Sequence, residues 1–269
     1  MTLVRWIPAV AVALLLLGSS TVLADTEKKT AAKEESLFGA LKGVDPAEAQ
    51  KQAEAWLKSV KSDATTLGKF KTLWASDRPL IGKVAGTLAL GDPAAANLLA
   101  EARDEDAPAP TEVPAVLKNK KKPAFYRANL ALAYARALTN RKVYEEALEA
   151  FAAVKPEEVV DPAAYYFHRA VCEYELMLKD QADSSIDRLL VDVTDAPERY
   201  RMVAALMHLD MLTWQEKDLG WIARKMDNIQ RRLALKRGGK HTQKMQKEVL
   251  VRLDEMIKEI ENKQKQGGS

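Results

Sequence analysis

The chain has 269 residues, 47% of them hydrophobic and 29% charged, with a net charge of +3. This composition excludes a disordered chain, and the near balance of 41 basic and 38 acidic residues does not by itself indicate a nucleic-acid or membrane partner. The single cysteine excludes a disulfide within the chain. Abundant Ala, Leu, Glu, Lys and Arg favour helices, and no alternating or β-branched run predicts a sheet.

Residues 1–24 have the pattern of a secretory signal peptide. Arg5 precedes the apolar run "WIPAVAVALLLL", and small residues follow, with Val22 and Ala24 at positions −3 and −1 of the cleavage site. We therefore expect cleavage near Ala24 and an exported protein, periplasmic or extracellular. The alternative is a retained anchor, although the apolar run is short for a membrane span. Contact with the membrane is expected only through this segment.

Residues 25–44 are polar and predict a flexible leader. Residues 45–103 form an N-terminal helical segment, in which Asp45–Pro46 and Asp92–Pro93 are typical helix starts. The intervening helix, over 77–91, is expected to begin with Asp77 or Arg78 before Pro79 and to stop at Gly91. The sequence leaves open whether 45–103 is a separate domain.

Residues 104–123 form a linker rich in proline and lysine. Its four prolines and opposed charge runs fit no long helix, so it either separates domains or wraps the surface. The lysine run at 118–122 could bind an anion, but a solvated loop is the simpler interpretation.

Residues 124–235 contain three further pairs of amphipathic helices. Each pair spans about 34 residues, the length of one tetratricopeptide unit. The predicted helices cover 124–139 with 143–151, 163–179 with 181–193, and 196–217 with 219–235.

These pairs resemble tetratricopeptide repeats. "YEEALEAF" carries the second-helix signature in Tyr144, Ala147 and Phe151, and Ala182 and Ile186 repeat its small-then-large spacing 35 positions later. The first helices match only at an offset of 40 residues, at which Tyr134 and Leu138 correspond to Tyr174 and Leu178. This offset requires a shorter turn in the second unit. The resemblance implies a stacked, all-α solenoid whose groove binds a protein or peptide partner.

The chain is also similar, over most of residues 77–261, to an uncharacterised group of exported bacterial helical-repeat proteins. That resemblance implies an address and an architecture but no activity. It rests on the stretches "LALGDPAAANLLAEARD", "AYYFHRAVCEYELMLKD", "KDLGWIARKMDNIQRRL" and "TQKMQKEVLVRLDEMIKEIE".

The best candidate for a metal site is the stretch "YYFHRAVCEY", residues 165–174. His168, Cys172 and the nearby Glu175 share one helical face and could supply metal ligands. His208 and His241 lie in other segments without ligand-like spacing. A lone cysteine among apolar residues is usually a small buried hydrophobe, so we expect packing and assign no metal site.

A basic cluster occupies residues 231–247. Cations at the end of a helix complement its macrodipole, with Gly238–Gly239 as the stop, and this is the interpretation we favour. The alternative is binding to an anionic envelope polymer or a membrane surface; nucleic acid is not expected, because no aromatic residue lies between the charges. The cluster comprises Arg231, Arg232, Lys236, Arg237, Lys240, Lys244 and Lys247.

Residues 236–266 are expected to form a basic turn and a C-terminal amphipathic helix that caps the repeats. The alternative for this helix is a short coiled coil that makes a homodimer. Its apolar stripe consists of Met245, Val249, Leu253, Met256, Ile257 and Ile260.

No catalytic motif is recognisable, and the carboxylate pairs Glu145/Glu146 and Glu157/Glu158 are expected on solvated helix faces. We assign no catalytic, cofactor-binding or metal residues and expect no cofactor. The predicted function is that of an exported, non-catalytic scaffold or adaptor. Polymer binding through residues 231–247 is the alternative, and a cryptic hydrolase or metal enzyme is less favoured.

Overall fold

Aspartate–proline pairs start three helices in the computed structural model of the protein, which describes residues 39–267. The carboxylate of Asp45 accepts hydrogen bonds from N–H groups of the first turn, and the proline that follows has no N–H to satisfy. Asp92 and Asp161 cap the helices after them in the same way. The helix starts predicted at Asp45 and Asp92 are therefore confirmed.

The regular structure within residues 39–267 is helical, and an isolated bridge between Leu41 and Val193 is its single β-type pairing. The all-α prediction is confirmed. The helices are α1 (Pro46–Val60), α2 (Ala64–Trp74), α3 (Leu80–Gly91), α4 (Pro93–Arg103), α5 (Ala115–Lys118), α6 (Ala124–Asn140), α7 (Tyr144–Ala152), α8 (Pro162–Glu175), α9 (Lys179–Asp187), α10 (Glu198–Leu212), α11 (Leu219–Ala234) and α12 (Lys240–Gly267), with a 3₁₀ turn at Pro156–Glu158 and a π-helical turn at Arg188–Asp192.

The turn between α3 and α4 differs from the sequence expectation at Gly91. Gly91 is the last residue of α3, and Asp92 alone, in an extended conformation, ends α3 and caps α4. A Cβ built on Gly91 would lie 2.7 Å from Cη2 of Trp56. The glycine is thus required by the close approach of an aromatic ring and not by a left-handed stop. At the other end of α3 the cap residue is Pro79, so neither Asp77 nor Arg78 caps this helix.

Matching turns join α6 to α7 and α8 to α9. Lys142 and Met177 take left-handed backbone conformations, with φ of 61° and 60°, and stand 35 positions apart. In each turn the next residue donates its N–H to the carbonyl five positions earlier, at 2.9 Å from Val143 and 2.8 Å from Leu178. This hydrogen-bond pattern is the Schellman motif, which ends a helix and reverses the chain.

These turns correct the alignment of the first helices. Because the turns have equal length, the offset between α6 and α8 is 35, and the predicted offset of 40 with a shorter turn is wrong. Leu138 therefore corresponds to Glu173, which is 1% exposed and accepts a hydrogen bond of 2.8 Å from Arg169. A buried carboxylate paired with a half-exposed arginine therefore takes the place of a buried leucine in the second helix pair.

The helices from α1 to α10 share one core. α3 packs against α1, α2, α4 and α6; α6 packs against α7 and α8; and α8 packs against α7, α9 and α10. One continuous cluster of buried side chains runs from Ala49 to Met211. Residues 45–103 therefore contribute to the same core as the helices that follow the linker.

The linker at 104–123 wraps this core. Val113 and Leu117 are buried in the main cluster, and α5 packs against α6. Within the lysine run, Nζ of Lys122 lies 2.8 Å from Oδ2 of Asp92, whereas Lys118 and Lys121 are exposed. The proline-rich stretch therefore packs as a covering segment.

The last two helices form a layer of their own. Where the sequence favoured a pair of α10 with α11, α11 packs against α12 around a small cluster of Ile222, Ile229 and Val249. The chain turns between them at Lys236, which has a φ of 60°. Lys236, and not the predicted Gly238–Gly239, therefore takes the left-handed position.

The chain before α1 is tied to distant loops. The N–H of Leu41 donates to the carbonyl of Asp192 at 2.9 Å, and the N–H of Val44 donates to that of Val160 at 3.0 Å. The leader predicted over 25–44 thus reaches at most to residue 40. Its residues 25–38 and the signal peptide over 1–24 lie outside the described residues.

Candidate functional site

His168 and Cys172 lie in the core, on the part of α8 that packs against α6 and α10. His168 is 7% exposed, and Cys172 is fully buried, with its Sγ 3.2 Å from Oγ1 of Thr139. Burial raises the pKa of Cys172 to about 12, so the thiol is neutral. Glu175 is exposed at the end of α8. Within residues 39–267, no three His, Cys, Asp or Glu side chains are grouped closely enough to hold a metal ion.

The imidazole of His168 is also neutral. Burial, together with the positive charges of Arg136 and Arg199, lowers its pKa to about 3. Its Nε2 has no hydrogen-bond partner among the described residues, and its ring packs against those of Phe167 and Tyr200. Its surroundings favour a packing role, with two arginines close by.

The basic cluster supplies three arginines to an internal charge network. Arg231 binds the carboxylate of Glu145 through two hydrogen bonds, of 2.8 and 2.9 Å, and its guanidinium lies over the ring of Tyr144. Arg232 also donates to Glu145, and Arg237 donates to Glu146 at 3.0 Å. These arginines fasten α11 and the basic turn to the start of α7.

Glu145 and Glu146 therefore do not lie on a solvated face as the sequence suggested. Glu146 is 7% exposed. Burial acts to raise the pKa of Glu145, but the hydrogen bonds and charge of Arg231 outweigh it and lower the pKa to about 2. Glu157 and Glu158 are exposed as expected. The Glu145/Glu146 pair is structural, because both carboxylates hold the arginines of α11 and its following turn.

The lysines of the basic cluster remain at the surface. All four are exposed: Lys236, Lys240, Lys244 and Lys247. Nζ of Lys244 makes a long contact of 4.0 Å with Oε1 of Glu248. An anionic polymer would therefore meet four lysines rather than the seven cations that the sequence presents.

A cavity of about 260 Å³ lies between α3 and α6, and we call it the first-helix groove. Small side chains make much of its wall, which lets another backbone approach closely. Its polar lining consists of two arginines and one asparagine. The lining residues are Ile81, Gly82, Ala85, Arg103, Ala133, Arg136, Ala137 and Asn140.

Arg103 and Arg136 line this groove, and Arg78 lies close enough for its positive charge to act on Arg103. Burial, followed by the charges of Arg78 and Arg136, lowers the pKa of Arg103. Within residues 39–267 none of the three forms an ion pair with a carboxylate. Positive charge beside a concave surface attracts anionic groups.

Sequence reasoning missed this arginine trio. Arg78, Arg103 and Arg136 are separated by 25 and 33 residues and lie in three different segments, so no local charge run marks them. A correct alignment of the helix pairs could have revealed the trio, because it matches α3 with α6 and so predicts that these two helices lie side by side.

No protein-family model, curated protein or solved structure significantly matches the chain. Across residues 39–267, the helices are too short or too polar to cross a membrane.

Proposed function

We propose that the protein is a non-catalytic scaffold built of tetratricopeptide-like repeats, and that it binds an acidic peptide segment of a partner protein in the first-helix groove. The observation that carries this proposal is a trio of arginines without ion pairs among the described residues, beside a cavity walled by small residues. Arginine suits such a site because its planar guanidinium binds a carboxylate through two parallel hydrogen bonds.

The repeat interpretation is supported by the matched turns at Lys142 and Met177. Ala147 and Ala182, 35 positions apart, are both fully buried, and Phe151 and Ile186 fill the corresponding large positions at 1% exposure each. Each helix from α6 to α10 also packs against its nearest neighbours in the chain, as repeat architectures require. In this arrangement α3 and α6 are successive first helices, and the groove lies between them.

We also propose that the protein works outside the cytoplasm. The support is the charged, apolar and small-residue succession over 1–24. Sequencing the N-terminus of the protein recovered from cells tests this, because a chain that begins at Asp25 is expected. A chain that begins at Met1 would support the anchor instead.

Binding of a labelled glutamate-rich peptide to the purified protein, followed by fluorescence anisotropy, tests the groove. Gly82→Leu would place a large side chain in the groove. The helix itself has room for the change, because a Cβ at this position would lie 3.8 Å from Cβ of Arg78 and 3.9 Å from Cδ of Pro79, which are ordinary contacts. Arg136→Ala would remove charge without adding bulk. We expect each change to weaken binding by roughly tenfold or more, in line with the loss of a charge-assisted hydrogen bond.

Gly68→Leu is the matched control, because Gly68 lies in α2 with open space around it. The alternative, polymer binding through the basic cluster, predicts a different result. In that case Lys240→Ala with Lys244→Ala would weaken binding to polyglutamate, while Gly82→Leu and Arg136→Ala would not. Equal binding by all groove variants and wild type would refute the groove proposal.

A further inference from the structure

Helix α10 is apolar on two opposite faces. Tyr200, Ala204, Met207 and Met211 are buried against the core. On the other side, which we call the outer face, Met202, Leu206 and Leu209 are 58%, 59% and 58% exposed, and Ala205 is exposed between them. Such a row of large apolar side chains in contact with water marks an interaction surface.

The outer face is uncovered because of where the next helix goes. α10 packs against α8 and α9 on its buried side, and α11 packs against α12. Within residues 39–267, therefore, no helix covers the position that the next helix of the stack would occupy. The apolar pattern of α10 nevertheless suits a helix with partners on both sides.

We propose that the outer face is covered by the outer face of a second copy of this chain, with the two α10 helices antiparallel. A twofold axis between Ala205 and Leu206 would place Met202 of one copy opposite Leu209 of the other. Leu206 would then meet its own equivalent, and the small Ala205 would let the helices approach closely. The face is thus complementary to itself, as a twofold interface requires.

The charges beside the stripe support this arrangement over other occupants. Arg199 and Asp210 lie on the same edge of the outer face near opposite ends of α10, so the twofold axis brings Arg199 of one copy towards Asp210 of the other. Arg199 is exposed and has no ion pair among the described residues; its guanidinium lies over the ring of Tyr200, 5.1 Å from the ring centroid. Asp210 accepts hydrogen bonds from Tyr174 and Trp214 on Oδ2 alone, so Oδ1 can accept another. A membrane surface would select basic residues and not this mixture of signs.

Sedimentation equilibrium of the purified protein over a series of concentrations tests the proposal. We expect a reversible dimer, and Leu206→Glu should weaken dimerisation at least tenfold because it would bury two like charges at the axis. The substitution leaves the core intact, since Leu206 is 59% exposed. Ile257→Glu, at a position 54% exposed on α12, is the matched control and should leave the dimer unchanged.

A cysteine at the axis gives an independent measurement. Ala205→Cys should form a disulfide between two copies when oxidised glutathione is added, because the equivalent sulfurs would face each other. Leu250→Cys, on the exposed side of α12, should not. A monomer at every concentration would overturn the proposal. So would loss of the dimer in Ile257→Glu with its retention in Leu206→Glu, which would assign dimerisation to the C-terminal helix.

Discussion

Glycines at three helix positions have different roles, set by what surrounds each of them. Gly68 has open space around it, Gly82 borders the first-helix groove, and Gly91 lies against Trp56. Trp56 is itself fixed, because its ring packs against Tyr126 with a centroid distance of 5.3 Å. The same residue type is therefore replaceable at one position and required at another.

Substitution of alanine at these glycines should change stability in opposite directions. Gly68→Ala should raise the free energy of unfolding by about 1 kcal/mol, because alanine is the better helix former. Gly91→Ala should lower it by about 1–3 kcal/mol, because the new methyl overpacks against the indole. Urea unfolding measures both, and a stabilising Gly91→Ala would contradict the assigned contact.

A buried histidine predicts how stability depends on pH. The pKa of His168 is lowered from 6.5 to about 3 by burial and then by the nearby arginines. Below pH 6.5 the unfolded chain binds a proton at this site that the folded chain does not bind. Stability conferred by His168 is therefore complete above pH 6.5 and is lost as the pH falls towards 3, by about 1.4 kcal/mol per pH unit.

Urea unfolding between pH 7 and pH 4 isolates this effect. His168→Gln, which has no imidazole to protonate, should flatten the slope. His241→Gln replaces an exposed histidine and should leave the slope as in the wild type. Equal slopes for wild type and His168→Gln would show that His168 does not set the acid sensitivity.

At the scale of elements, the arginines of the basic cluster attach α11 to the helix pairs that precede it. α11 contacts the turns of the helix pairs through Arg231, which donates to the carbonyl of Lys142, and through Asn228, which donates to that of Glu175. Because Lys142 lies in the turn after α6 and Glu175 at the end of α8, a single helix bridges two successive helix pairs. The main role of the arginines in this part of the chain is therefore to hold α11 against the rest of the protein.

Arg231→Ala should therefore destabilise the protein by about 1.5–3 kcal/mol, because Glu145 would lose two charge-assisted hydrogen bonds and keep those of Arg232. Lys240→Ala, an exposed change in the same cluster, should stay within about 0.5 kcal/mol of the wild type. Thermal or urea unfolding compares them. Similar stabilities for the two variants would contradict a structural role for the network.

Local patterns predicted local structure well and long-range contacts poorly. Asp45 and Asp92 identified helix starts, because a cap acts within one turn. The sequence could not reveal that Glu145 binds arginines 86 and 87 positions later, or that α11 leaves α10 for α12, since such choices depend on packing across the molecule. The turn predictions are wrong for a related reason. The sequence predicts helix stops at Gly91 and at Gly238–Gly239, whereas Lys142, Met177, Lys217 and Lys236 take the left-handed conformations, and their side chains give no such signal.

At the scale of the molecule, the proposed binding surfaces lie on different elements. The first-helix groove uses α3, α4 and α6, whereas the outer face belongs to α10. A dimer formed through the outer face would therefore present one first-helix groove in each copy. The peptide-binding and sedimentation experiments are independent, because Leu206→Glu leaves every groove residue in place.

The hydrogen bonds of Leu41 and Val44 have a consequence for the order of events during synthesis. Their acceptors, on Asp192 and Val160, are translated more than 100 residues later. Helix pairs stacked only on neighbours can become ordered one after another as the chain emerges. Here the backbone hydrogen bonds of Leu41 and Val44 cannot form until the third quarter of the chain has been synthesised. The fold is therefore completed late, by contacts between residues far apart in the sequence.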